Sequence, residues 1–185
     1  MQDKEIVELF LRRDESAIEN AKSKYDRYLY KIAYNILGDR EDCEECLSDV
    51  YLGAWNSIPP QEPSVLQAYL AKLTRRSAIT MLRRKSRDKR RVSEYSVSLY
   101  ELEECLPDNN TPEKEADLKL LADAVNSWLR TLSPDKQAAF IGRYYFSDSI
   151  RDIAGHLDVS ETKVKSMLCR LRTELKKHLE KEEIL

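Results

Sequence analysis

Apolar residues recur at intervals of three and four along almost the whole chain, and no stretch alternates with period two as a strand would. The pattern predicts an all-α fold. Asp3 caps a first short helix that ends near Arg13. A second runs from about Ser16 to Leu37, where Gly38 stops it. Asp39 caps a third, which continues to about Ser57 and is halted by Pro59-Pro60. Pro59 to Pro63 is a rigid, irregular loop, and Ser64 caps a fourth helix whose inward stripe is Leu66, Leu70, Leu73 and Ser77. From Val92 to Thr111 the helical pattern dissolves. Thr111-Pro112-Glu113 restarts it with a cap, a first-turn proline and an acid at the positive helix end, and Ser133-Pro134-Asp135 repeats the device. These breaks predict two small helical domains, residues 1–91 and 112–185, joined by a flexible acidic linker over 92–111.

The last third carries the most specific pattern. Ser149 to Leu157 is a short amphipathic helix, Asp158-Val159-Ser160 has room only for a tight turn, and Glu161 to Leu179 is a second helix. Two helices joined so briefly cross steeply, which turns the second outward, where it can enter a major groove. Asp158 stands where glycine would be easiest, and aspartate tolerates the left-handed region better than most residues. At 100° per residue, Val164, Leu168, Leu171 and Leu175 share one side of the last helix and should pack on Ile150, Ile153, Ala154 and Leu157. Thr162, Ser166, Cys169 and Thr173 fall opposite, with Lys163, Lys165, Arg170 and Arg172 on the flanks. Short polar side chains can approach base edges while the cations meet phosphate or guanine. Charged flanks alone also fit a solvated helix face; the tight turn before them favours DNA. With Ser160 at the turn, the expected reader is Ser160, Thr162, Lys163, Lys165, Ser166, Cys169, Arg170 and Arg172.

Charge sharpens this picture. The formal net charge of the 185 residues is only -2, so the whole chain is no basic glove for nucleic acid. The charges are segregated, however. Arg75, Arg76, Arg83, Arg84, Lys85, Arg87, Lys89, Arg90 and Arg91 crowd one stretch, and an acidic stretch from Glu94 to Asp117 follows. On the fourth helix, Tyr69, Lys72, Arg76, Arg83 and Arg87 run along one flank. A ring followed by cations at helical spacing can track a single strand, the ring stacking a base and the cations holding the backbone. Tyr69 fits the edge of a core equally well. No apolar run approaches the roughly 18 residues of a membrane span, and MQDKEIVELF has no signal-peptide layout, so a cytoplasmic protein without membrane insertion is expected. Cys43, Cys46, Cys105 and Cys169 make neither a zinc set nor a disulfide framework; no metal and no cofactor is expected. Cys43 and Cys46 have redox-motif spacing but lie in a helical pattern, and buried thiols are the expectation.

Two longer stretches carry a resemblance. Tyr28-Leu29-Tyr30-Lys31-Ile32-Ala33-Tyr34-Asn35-Ile36-Leu37-Gly38-Asp39-Arg40-Glu41-Asp42, followed by Asp49-Val50-Tyr51-Leu52-Gly53-Ala54-Trp55, resembles the core-binding segment of the extracytoplasmic-function (ECF) sigma factors. Tyr69-Leu70-Ala71-Lys72-Leu73-Thr74 with Leu82-Arg83-Arg84 is similar to their promoter-melting segment, and Leu132-Ser133-Pro134 through Val164-Lys165-Ser166 to their second DNA-binding domain. The resemblance implies a non-enzymatic subunit that binds core RNA polymerase, at its clamp-helix coiled coil and flap, and directs it to promoter DNA. The third helix would dock on the clamp through Glu41, Glu45, Ser48, Asp49 and Leu52, while Cys43, Leu47, Val50, Tyr51 and Ala54 face inward. Tyr69, Lys72, Arg75, Arg76, Arg83, Arg84 and Arg87 would read and melt the minus-ten element, the Pro59 to Ser64 loop helping to capture a flipped base, and the C-terminal helix would read the minus-thirty-five element. The acidic linker would thread the polymerase channel taken by RNA. An anti-sigma protein would hold the factor inactive. The chain departs from the family pattern at Arg76 and Thr80, commonly Asn and Asp, and at Lys163 and Met167, usually Thr and Arg, so base preference does not carry over.

Two rivals differ in class. A stand-alone helix-turn-helix regulator binding duplex operators explains the C-terminal domain but gives the Tyr69 flank and the third helix no purpose. A redox enzyme using Cys43 and Cys46 would lack support elsewhere, since His156 and His178 are the only histidines and no nucleophile–base pair or phosphate-cradling glycine loop is present.

Overall fold

A computed structural model of the chain describes residues 1–85 and 115–184, side chains of 115–119 excepted. The chain divides into two compact units, Met1–Val92 and Ser93–Leu185. Every regular element among the described residues is helical. Arg87, Cys105, the 92–111 linker and the Thr111-Pro112-Glu113 restart lie outside the described residues.

The first unit holds α1 (Asp3–Leu11), α2 (Ser16–Leu37), α3 (Arg40–Ser57) and α4 (Leu66–Lys85). Gln2, not Asp3, occupies the N-cap of α1, and its N–H donates to the Glu5 carboxylate at 2.7 Å. Asp3 is drawn away from capping because Lys24 Nζ (2.7 Å) and the Tyr25 hydroxyl both donate to its carboxylate, tying α1 to α2. Buried residues of α2 recur at Ala17, Ala21, Tyr25, Leu29, Ile32 and Ile36, the spacing of one helix face. Gly38 closes α2 in the left-handed region, φ 76°, with its N–H on the Tyr34 carbonyl. Asp39 then caps α3, its side chain accepting from the Asp42 N–H at 3.0 Å.

The stripe expected on α4 is displaced. Leu66 and Leu70 are buried, but Leu73 and Ser77 are only half-buried, and Ala71, Thr74, Ala78, Ile79, Met81 and Leu82 take up the core instead. The reason is packing: α4 lies against α1, α2 and α3 together, so a broad sector of its surface is covered. Thr74 survives burial because its hydroxyl donates to the Leu70 carbonyl at 2.8 Å. The helix also begins later than a Ser64 cap requires, its first bond running from the Tyr69 N–H to the Val65 carbonyl.

The second unit holds α5 (Glu115–Thr131), α6 (Pro134–Ile141), a π-helical turn (Gly142–Phe146), α7 (Ile150–Leu157) and α8 (Glu161–Lys181). Pro134 starts α6 as expected, although the Ser133 side chain makes no capping bond. The core joins Leu121 and Trp128 of α5, Phe140, Tyr144, Ile150 and Ile153 to Val164, Leu168, Leu171, Leu175 and Leu179 of α8. Trp128 meets Phe140 edge-on at 5.0 Å, and Phe140 meets Tyr144 at 4.7 Å. The π-turn has no periodic signature and went unforeseen. Gly142 opens it, and a Cβ there would stand 2.7 Å from Asp148 Oδ2.

Candidate nucleic-acid and partner interfaces

Four local devices set the orientation of α8. Ser149 caps α7 by accepting the Asp152 N–H at 3.0 Å. Asp158 closes α7 in the left-handed region, φ 52°, so the chain reverses without a glycine. Ser160 caps α8, accepting the Lys163 N–H at 3.2 Å. Burial of Ile150, Ile153 and Ala154 with Leu168 and Leu171 fixes the two helices face to face. The result is a helix-turn-helix whose second helix turns a polar face outward.

On that face Thr162, Lys163, Lys165, Ser166, Cys169 and Arg170 are all exposed, as is Ser160 at its head. Beside it lies a concavity of about 490 Å³ bordered by Ser160, Thr162, Lys163, Ser166, Met167 and Arg170. Its far wall brings in Lys136 from α6 and Glu174, which face each other at 3.9 Å. Sequence reasoning missed both; the signal was a lysine in the first turn after a Ser-Pro start, which only the packing of α6 on α8 brings to this surface. Arg172 differs from the other expected readers. It is half-buried, and its Nη1 donates to the Tyr144 hydroxyl at 2.8 Å, linking α8 to the π-turn.

On α4, Lys72, Arg76, Arg83 and Arg84 are exposed. With Tyr69 they fall within about 60° of one line along the helix, whereas Arg75 lies roughly 120° away and is half-buried. Lys85 is withdrawn from the cationic row by an ion pair with Asp42 at the start of α3. Thr80, one turn beyond Arg76 on the same line, spends its hydroxyl on the Arg76 carbonyl at 2.8 Å. Tyr69 is half-buried with its hydroxyl 2.6 Å from Ser57 Oγ. Its ring therefore lies at the rim of the packed interior, with the hydroxyl at the C-terminal end of α3.

On α3, Glu41, Glu45, Ser48, Asp49 and Leu52 form one exposed face. Leu52 is 56% exposed in the middle of these polar groups. Trp55 packs on Phe10 and lies under the Arg13 guanidinium at 5.3 Å. Cys43 and Cys46 are fully buried, and burial pushes both thiols up to about 11. They are protonated at neutral pH and out of reach of a substrate, which removes the basis of a thiolate enzyme there. Cys169 is exposed. Among the described residues no cluster of His, Cys, Asp and Glu is arranged to hold a metal ion, and no helix is long and apolar enough to cross a membrane.

Comparison with known proteins matches each unit separately. Sigma-70 region 2 matches residues 23–88, and Sigma-70 region 4 matches residues 123–175. The chain is 24% identical over 153 residues to the ECF RNA polymerase sigma factor SigE of Mycolicibacterium smegmatis, an alignment covering 83% of this chain and 58% of that protein. It is 27% identical over 170 residues to the ECF RNA polymerase sigma factor SigX of Bacillus subtilis, covering 87% of this chain and 85% of that one. A stand-alone helix-turn-helix regulator does not account for the first of the two family matches. With both regions matched in order, the chain belongs to the sigma-70 family as an ECF sigma factor.

Proposed function

We propose that this chain binds core RNA polymerase through α3, reads the upstream promoter element with α8, and holds the melted downstream element along α4. One observation carries the reading: a single chain presents an outward helix-turn-helix face and, in its other unit, an exposed row of Lys72, Arg76 and Arg83 that continues from the half-buried Tyr69. Each surface alone is a modest binder. Tethered in one molecule and held by polymerase, the second contact becomes intramolecular and gains from effective concentration.

At α8, Thr162, Ser166 and Cys169 are short enough for the helix to sit deep in the major groove, while Lys163, Lys165 and Arg170 reach phosphate or guanine. Lys136 extends the cationic border. Arg172 contributes by holding α8 to the π-turn, since its guanidinium is already engaged with Tyr144. At α4, extruding a base costs a few kcal/mol, which stacking on Tyr69 and phosphate contacts from Lys72, Arg76 and Arg83 offset. Arg76 is a cation where the family commonly carries a neutral amide, so this chain holds the strand there by charge. At α3, Leu52 is the apolar centre of a polymerase contact, with Glu41, Glu45 and Asp49 selecting a basic partner surface. The acidic 92–111 segment takes the RNA channel, an anti-sigma protein occludes one of these faces, and the molecule acts in the cytoplasm without catalysing a reaction itself.

The test is run-off transcription with purified core polymerase on fragments of the source genome. Discrete transcripts that require this chain are expected. Binding of duplex by the free chain as a stable dimer, with no transcript at any site, would overturn the proposal.

A further inference from the structure

Ser57 ends α3 and Tyr69 stands in the first turn of α4, so the two bracket the loop that joins these helices. Ser57 Oγ lies 2.6 Å from the Gly53 carbonyl and 2.6 Å from the Tyr69 hydroxyl. A serine hydroxyl has one hydrogen, and a carbonyl can only accept. The Ser57 hydrogen therefore goes to Gly53, and Tyr69 must donate to Ser57 Oγ. The backbone of Ser57 is committed as well: its carbonyl accepts the Gln61 N–H at 2.9 Å. Pro59, Pro60 and Pro63 have no N–H with which to anchor the loop themselves. One residue thus holds the loop by its carbonyl and the tyrosine ring by its hydroxyl.

We infer that Ser57 is a positioning residue for strand capture: its hydroxyl holds the Tyr69 ring and its carbonyl holds the Gln61 turn of the loop, so that ring and loop meet a displaced base already ordered. The inference rests on the proposed role of α4 in holding melted DNA. A ring free to swing would have to be ordered when the base arrives. A ring already held by its hydroxyl meets the base in the stacking orientation, so that ordering is complete before melting begins.

The experiment uses holoenzyme reconstituted from this chain and core polymerase, on a promoter found by run-off. Permanganate reactivity of downstream thymines reports melting, and retention of duplex at low temperature reports binding before melting. Ser57→Ala and Tyr69→Phe should each reduce melting about fivefold, the size of one lost hydrogen bond, with binding before melting unchanged. The double variant should be no worse than either single one, because both remove the same bond. Ser57→Thr, which keeps the hydroxyl, should restore melting. Unchanged melting in both single variants, or additive losses in the double, would overturn the inference. Tyr69→Ala separates the two levels: if it melts promoters normally, the α4 reading itself fails, whereas a melting defect in Tyr69→Ala with none in Ser57→Ala defeats the Ser57 role alone.

Discussion

Replacing Lys165 with Ala gives the sharpest test of how α8 meets DNA. Lys165 and the Lys163–Arg170 pair border the short polar face on opposite sides, and all three are exposed. If each meets one phosphate, each releases counterions on binding and steepens the salt dependence, with a slope of about −0.9 per contact in log affinity against log salt. Between roughly 50 and 200 mM salt, one such contact changes affinity about 3.5-fold and three change it about 40-fold. Lys165→Ala holoenzyme should therefore bind an upstream-element duplex with a slope shallower by about 0.9, measured by fluorescence anisotropy across a salt series. Core polymerase contributes equally to both slopes, so the difference belongs to Lys165. Arg172→Ala is the internal control. Its guanidinium is engaged with Tyr144, so it should lower the melting temperature and leave the slope alone. A Lys165→Ala slope equal to that of the parent, with unchanged affinity, would refute the placement of this flank on the phosphate backbone.

Asp49→Arg with Leu52→Ala should abolish co-purification with core polymerase while helical circular dichroism is retained; undiminished association would move the docking surface off α3. In a Cys105→Ser background, Cys169 should alkylate readily and be protected by promoter duplex in the holoenzyme. Cys43 and Cys46 should resist, because a thiol at about 11 is ionised only to about one part in a thousand at pH 8; modification of either in the folded protein would contradict their burial. Gly142→Ala would place a Cβ 2.7 Å from Asp148 Oδ2, the end of a side chain that can swing aside; because Gly142 has helical φ and ψ, the substitution should leave stability unchanged or raise it by up to about 1 kcal/mol in denaturant unfolding. A lowered midpoint would mean that Asp148 is held too firmly to yield.

Local chemistry was the readable part of this sequence. Gly38, Asp39, Ser149 and Asp158 each act through their own backbone or a neighbour three or four residues away, so helix ends at Leu37, the start of α3 and the tight turn before α8 could be placed from sequence. What failed depended on distant partners. Asp3 looks like a cap until Lys24 and Tyr25 claim its carboxylate from the next helix. The α4 stripe shifted because three helices press on it, and a one-sided periodicity cannot register a helix covered from several directions. Arg172 reads as another flank cation on a wheel; its bond to Tyr144 depends on a π-turn that no apolar spacing announces. The exposed faces of α3 and α8 were legible because exposure follows from what the apolar residues of the same helix bury; on α4, Lys72, Arg76, Arg83 and Arg84 are exposed but Tyr69 and Arg75 are half-buried.

On the proposed reading, two helical units of one chain grip a single promoter under polymerase. Footprinting of the reconstituted holoenzyme on one promoter measures this most directly, with nuclease protection upstream and permanganate reactivity downstream read on the same molecules. Lys163→Ala with Arg170→Ala should erase the upstream protection, and Arg76→Ala with Arg83→Ala should erase the downstream melting while upstream protection remains. A single protected patch, sensitive to neither pair or present in full without core enzyme, would mean that the two units do not grip one promoter together.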